Sequence, residues 1–154
     1  MSIFVVIQRP GAPRGLPTNV QITRWLAHAV GQERSGASLT VRIVDRQEAA
    51  ALNARWRGKA GPTNVLSFPV TGLAAIAPEL LGDIVLCAPV LKAEAKAQHK
   101  TIAAHCAHLL VHGALHLLGY DHEQDDEAAR MEARERQLLA QLAFSDPYLE
   151  RSTR

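Results

Sequence analysis

Nowhere does the sequence run apolar for the roughly 18–20 residues needed to cross a bilayer. Its longest apolar region, around Leu109–Leu118, is interrupted by two histidines. Cysteine is scarce as well. Cys87 and Cys106 are the only two, too few for a disulfide framework. Each sits in an apolar segment, where a thiol behaves as a small buried hydrophobe. No C-x-x-C pair supports a cysteine-based zinc site. The short apolar run Ile3–Ile7 has neither a basic start nor a small-residue cleavage site, so it does not read as a secretory signal. The chain reads as cytoplasmic. Internal repeats and low-complexity linkers are also lacking.

No charge of one sign dominates either, since the net charge is +2. That value hides an asymmetry. Residues 1–60 hold nine Lys/Arg against three Asp/Glu, and residues 61–154 hold eight against twelve. A basic first half joined to an acidic second half suggests a positive face for a polyanion.

What is present is an ordinary globular composition, 47% hydrophobic and 21% charged over 154 residues, enough for one domain with one core. Residues 1–150 read as that domain. Residues 151–154 read as a disordered tail, because Arg151, Ser152, Thr153 and Arg154 offer nothing apolar to bury.

Ser2–Gln8 is rich in β-branched and aromatic residues and reads as a strand. A proline-containing loop follows, and then a helix capped by Thr18 or Asn19, with Val20, Ile22, Trp25, Leu26, Ala29 and Val30 as its apolar face. Ser38–Val44 alternates, with Leu39, Val41 and Ile43 on one side, as a half-buried strand does. Asp45 and Glu48 suggest a capping box opening a helix to about Trp56. Arg57–Asn64 reads as a polar loop, Val65–Phe68 as a short strand ended by Pro69, and Thr71–Leu80 as loop. Asp83–Ala88 reads as a buried strand. Pro89 suits the first turn of a helix to about Gln98. Thr101 opens a long apolar helix that Gly119 ends. After a turn over Asp121–Asp126, Glu127–Leu142 is an amphipathic helix with a strongly charged outer face. The order β-α-β-α-β-β-α-α-α predicts a single α+β domain, a mixed sheet of about four strands packed with about five helices. Strand order is not legible.

The chemistry is concentrated in HGALHLLGYDH, residues 112–122. His112 and His116 are four apart on a predicted helix, which puts both imidazoles on one face about 6 Å apart along the axis. Gly119 lets the chain leave the helix, and the turn brings back His122. Three neutral nitrogens leave a fourth position open, as catalytic zinc sites do. Zinc held this way brings the pKa of a bound water to about 7. His108 and His112 form a second possible pair, but only the later trio gains a ligand from outside the helix. His28, His99 and His105 read as ordinary core or surface imidazoles. Asp121, beside His122, reads equally as an orienting partner or as a helix cap or solvated side chain. Tyr120 reads as packing.

The spacing H-x3-H-x5-H, with glycine three residues after the second histidine, also matches the metzincin proteases. In those enzymes a glutamate follows the first histidine as general base. Here that position is Gly113, which cannot move a proton, so the pattern disfavours a peptidase while keeping the metal geometry.

HGALHLLGYDH resembles the signature of the YbeY family of bacterial endoribonucleases. Arg57-Gly58-Lys59 with Gly61-Pro62-Thr63-Asn64-Val65-Leu66-Ser67-Phe68-Pro69 resembles that family's second block. Leu81-Gly82-Asp83-Ile84 resembles its third, and Asp146-Pro147-Tyr148 its usual end. The resemblance runs from Leu52 to Tyr148; the first 40 residues match only in general layout. It implies a zinc-dependent, single-strand-selective endoribonuclease that processes ribosomal RNA, notably the 3′ end of the small-subunit RNA, and acts in ribosome quality control. It implies one Zn²⁺ per chain on His112, His116 and His122; Ni²⁺, which also accepts imidazole, can take its place in a purified sample. It implies that Arg57 is the functional arginine near the metal. Arginine's planar donor fork suits a phosphate whose charge must be met as the transition state forms, and Lys59 lies beside it as a further substrate contact. The partners implied are single-stranded RNA, ribosomal RNA and the ribosome, with neither membrane nor DNA. Two other readings stand beside this one. In the first, a fourth ligand such as Asp121 or His108 makes zinc structural and the protein a non-catalytic RNA-binding assembly factor. The second is the disfavoured peptidase. The attacking group, water at the metal or the RNA's own 2′-hydroxyl, is left open.

Overall fold

The computed structural model describes residues 3–70 and 79–148. Its elements follow the predicted order: β1 (Phe4–Gln8), α1 (Asn19–Gly31), β2 (Ser38–Val44), α2 (Arg46–Arg57), β3 (Val65–Pro69), β4 (Leu80–Cys87), α3 (Ala88–Ala97), α4 (Ile102–Leu117) and α5 (Asp125–Gln141). Among the described residues, five helices and a four-stranded mixed sheet make one α+β domain. The strands lie in the order β1-β2-β4-β3. β1, β2 and β4 are parallel, and β3 joins β4 antiparallel. The loop predicted at Thr71–Leu80 falls largely outside the described residues, and the predicted tail at 151–154 falls wholly outside them. No helix among the described residues is long and apolar enough to cross a membrane.

Side chains alternate across a strand, and the sheet uses this to divide two cores. Leu39, Val41 and Ile43 of β2 and Ile84 and Leu86 of β4 face the larger one, where α1, α4 and α5 add Ile22, Leu26, Leu110, Leu115, Leu138 and others. Val85 and Cys87 of β4 face the smaller one with Val44, Leu66 and Ala49 of α2. Both cysteines are buried, and burial pushes the Cys106 thiol up to about 12. They are the small hydrophobes the sequence suggested.

Local chemistry sets the helix ends. Thr18 accepts the Gln21 N–H at 3.1 Å while the Gln21 side chain reaches back to the Thr18 N–H at 2.9 Å, a reciprocal cap. At α2 the expected box is only half made. Asp45 accepts the Glu48 N–H at 2.9 Å, but the Glu48 carboxylate turns to Arg42, at 2.6 and 3.1 Å, because a charged donor outcompetes a backbone amide. Val20, assigned to the apolar face of α1, is 77% exposed; it stands about 200° around the helix from Ile22. β4 begins at Leu80 rather than Asp83, and α5 begins at Asp125 rather than Glu127.

Two glycines let layers approach. Gly82 has φ +138° and pairs with Pro69 at the end of β3, beside a register shift in the β2–β4 pairing. A Cβ there would lie 2.2 Å from the Phe68 carbonyl oxygen. Gly113 sets α4 against the sheet, where a Cβ would meet Ser67 Oγ at 3.1 Å and Ile84 Cγ2 at 3.2 Å. Since neither backbone geometry nor space admits a side chain at Gly82, Gly82→Ala is expected to cost more than about 2 kcal/mol. Urea denaturation of the two proteins measures it, and an unchanged midpoint would show that the β3–β4 end relaxes freely.

Candidate metal centre

Helix α4 is buried almost all round. Cys106, Ala107, Leu109, Leu110, Val111, Ala114 and Leu115 all lie in the main core. His108, His112 and His116, four apart, run down its one half-exposed stripe. A helix buried so fully holds these rings on a rigid backbone, which favours precise placement.

The helix ends in a Schellman turn. Gly119, at φ +104°, donates its N–H to the His116 carbonyl at 3.0 Å, and Tyr120 donates to Leu115 at 2.9 Å. This pattern is the one in which glycine satisfies the last carbonyls of a helix. The turn aims the Tyr120 carbonyl back at the helix, where it accepts His116 Nδ1–H at 3.1 Å. It then delivers His122, whose backbone N–H is held by the Asp121 carboxylate at 2.7 Å. Asp121 therefore braces the turn. It does not cap α5, whose N-cap is Gln124.

His112, His116 and His122 converge. Their candidate ligand atoms all lie within 4.8 Å of one another. Ring centroids are 4.7 Å apart for His112 and His116, 4.8 Å for His116 and His122, and 5.6 Å for His112 and His122. His116 has its pKa lowered, first by burial and then by the two neighbouring imidazoles. It is therefore a neutral ring with a lone pair to offer at neutral pH.

The largest feature absent from the sequence reading is Glu135. It lies within the helix predicted to be amphipathic with a charged outer face, yet it is fully buried, 0% exposed, against α4. Its Oε2 accepts His112 Nδ1–H at 2.7 Å. Its Oε1 accepts His108 Nε2–H at 2.9 Å and the Tyr148 hydroxyl at 2.5 Å. Burial alone would raise this carboxyl, but the three donors outweigh it and hold it down at about 2. An ionised carboxylate only accepts, so the ring nitrogens facing it must carry protons. For His112 that leaves Nε2 with the lone pair. The Tyr120 carbonyl does the same for His116. Carboxylate and carbonyl partners of this kind fix the tautomer of metal-binding histidines, and the neutral nitrogen donor set suits a divalent transition ion. A signal for Glu135 was present in the sequence: it lies four residues after Met131 and three before Leu138, on the apolar stripe of α5.

His108, the rival partner of His112, is committed to Glu135 and Tyr148. His105 is buried and pairs with Glu94 at 2.8 Å, and Glu94 also accepts Asn64 Nδ2–H at 3.0 Å. His28 bonds to Gln141 at 2.8 Å. Tyr120 packs on the main core and also donates to Glu33 at 3.0 Å. Among the described residues, no fourth His, Cys, Asp or Glu joins the trio.

The three histidines open into a cleft of about 620 Å³ whose walls include Arg57, Asn64, Ser67 and Pro69. Arg57 belongs to the last turn of α2 and not to the loop predicted for it. The helix closes at Gly58, φ +66°, and a cation suits that negative helix end. Its guanidinium is exposed, and no hydrogen bond or ion pair engages it among the described residues. Arg42, by contrast, is spent on Glu48. Lys59 is exposed on the following loop and does not line the cleft.

Replacing the buried anion tests the arrangement without any metal. In Glu135→Gln an amide NH₂ faces an imidazole N–H or a hydroxyl. One ring can restore a bond only by moving its own proton to the other nitrogen. Urea denaturation of metal-free Glu135→Gln is expected to show a loss of about 1–3 kcal/mol; an unchanged midpoint would mean that the carboxylate charge is immaterial there.

The solution structure of TM1509 from Thermotoga maritima superimposes with a TM-score of 0.56 at 22% sequence identity, covering 97% of this chain and 100% of that one, a likeness of fold. The sequence profile of the family described as endoribonuclease YbeY matches residues 17–143, a span that holds all three converging histidines and Arg57. The chain belongs to the YbeY endoribonuclease family.

Proposed function

We propose that this protein is a zinc-dependent endoribonuclease selective for single strands, acting in maturation of ribosomal RNA, the 3′ end of the small-subunit RNA included, and in ribosome quality control in the cytoplasm. The observation that carries the reading is the meeting of three converging imidazoles, two of them oriented through Nδ1, with the unpaired Arg57 in one open cleft. Family membership supports the reaction class. His112, His116 and His122 hold the ion, through Nε2 in the first two. When bound, the ion supplies Lewis acidity toward a phosphate oxygen and acidifies water. Arg57 grips the phosphodiester and meets its charge as it grows in the transition state. Its exposure and lack of a competing carboxylate leave the donor fork free for this. Lys59, outside the cleft, serves the flanking backbone electrostatically. A single strand bends into a cleft of this size more readily than a stiff duplex does.

Two rival readings lose support from the same geometry. A structural zinc wants four protein ligands, and Asp121 and His108 are both engaged elsewhere. A metzincin-like peptidase needs a glutamate at Gly113, where the helix is pressed against Ser67 and Ile84.

Elemental analysis is expected to find one zinc, or nickel in its place, per chain of the wild type and far less in His116→Ala; equal metal in both would remove the assignment. Arg57→Ala is expected to fold and bind metal normally but cut RNA about 10²-fold more slowly. Arg57→Lys should recover only part of the loss, since a point charge does not reproduce a bidentate fork. The zinc-loaded protein should cut a labelled single-stranded RNA, leave duplex RNA nearly intact and spare casein. Casein cut with RNA intact would reverse the proposal.

A further inference from the structure

A second cavity, about 640 Å³, adjoins the first. The two share Arg57, Ser67 and Pro69. Its lining has a different chemistry. Leu52, Trp56 and Phe68 provide apolar and aromatic surface, the Arg42–Glu48 ion pair also lines it, and Asp83 adds a carboxylate that no hydrogen bond or ion pair engages among the described residues. Trp56 is the prominent feature. It stands one residue before Arg57 on the last turn of α2, and its indole is 59% exposed. Phe68 meets it edge-on, with centroids 6.3 Å apart and planes at 70°, and the Arg55 guanidinium lies 5.1 Å from its centre. Trp25, the other tryptophan, is by contrast buried in the main core at 2%.

We propose that this cavity is a nucleobase-stacking subsite, in which the Trp56 ring receives a base of the RNA strand whose phosphate Arg57 holds. The proposal deepens the endoribonuclease reading and rests on it for the identity of the strand. The division of charge decides which part of a nucleotide goes where. The cleft with Arg57 takes the anion. In the neighbouring cavity Arg42 is already paired with Glu48, so among the described residues the shared Arg57 is its one cation free for a phosphate; Asp83 offers an acceptor to base amino groups, and the exposed indole offers a face to a base. A duplex keeps its bases stacked on each other and has none to give, so the subsite also supplies a reason for single-strand selectivity.

The chain has two tryptophans, and of these only Trp56 is exposed, so quenching of the intrinsic fluorescence by an added strand reports chiefly this site. Chelator-treated wild-type protein, which leaves RNA uncut, would be titrated with an oligoadenylate and with an abasic strand of equal length and charge. Quenching by oligoadenylate and none by the abasic strand is expected. Trp56→Ala should weaken oligoadenylate binding about tenfold, measured by anisotropy of a labelled strand, and Trp56→Phe should keep most of the affinity. Equal quenching by the abasic strand, or wild-type affinity in Trp56→Ala, overturns the subsite. Loss of affinity in both variants alike would mean that the ring acts through the fold and not by stacking, and would also overturn it. Zinc-loaded wild type, assayed on the same RNA, tests the parent reading separately. Cleavage without base-dependent quenching sinks the subsite alone, and base-dependent quenching without cleavage sinks the endoribonuclease reading alone.

Discussion

An ionised carboxylate sealed from the surface organises the half of this molecule that holds the three converging histidines. Glu135 sits between α4 and α5, and its two oxygens take three hydrogen bonds, from His108, His112 and Tyr148. A lone buried anion would be costly enough to neutralise itself or unfold its surroundings. Here the donors around it are what keep it charged, and its charge in turn dictates where their protons sit. The same interaction joins α5 to α4, draws the segment around Tyr148 against both, and turns the Nε2 of His112 toward the cleft. Helix packing and ligand orientation are thus one piece of physics.

The Schellman turn at Gly119 works in the same way at the other end of the stripe. It is a device for satisfying helix carbonyls, and any helix ending in glycine can use it. What sets it apart here is its position. Because the turn falls immediately after His116, the carbonyl it redirects is the one that orients His116, and the chain it reverses brings His122 alongside. Asp121 then holds that reversal through the His122 amide. A short local motif in this way builds two-thirds of a three-histidine site.

The remaining wall comes from far away in sequence. α2 crosses the smaller face of the sheet and stops at Gly58, which leaves Trp56 and Arg57 on its final turn above β3. β3 is tied to α4 by the Ser67 hydroxyl, which donates to the Gly113 carbonyl at 3.3 Å. The lack of a side chain at Gly113 lets strand and helix come that close. The residue that removes a peptidase's base is therefore also the one that lets β3, Arg57 and the imidazoles share a cleft.

Much of this was legible without a structure. Residues four apart on a helix and a glycine that ends it are local facts, so His112, His116 and His122 could be grouped from spacing alone. The element order and the mixed α+β architecture follow from periodicity and punctuation. Where sequence reading fell short, non-local partners were responsible. Glu135 looked like one more charge on a charged helix, because its burial depends on α4 and Tyr148 closing over it. Arg57 looked like a loop residue, because a left-handed Gly58 only fixes where a helix ends once the helix is packed. Glu48 left its expected cap for Arg42 on the adjacent strand, and Val20 pointed to water although it is apolar. The strand order, which puts β4 between β2 and β3, is likewise set by pairing across the chain. The sequence by itself determined which side chains could bind a metal and in what grouping. The tertiary structure alone decided which nitrogen of His112 and of His116 is free, which arginine faces them, and which charge is buried, because tautomer, exposure and desolvation are properties of neighbours brought together by folding.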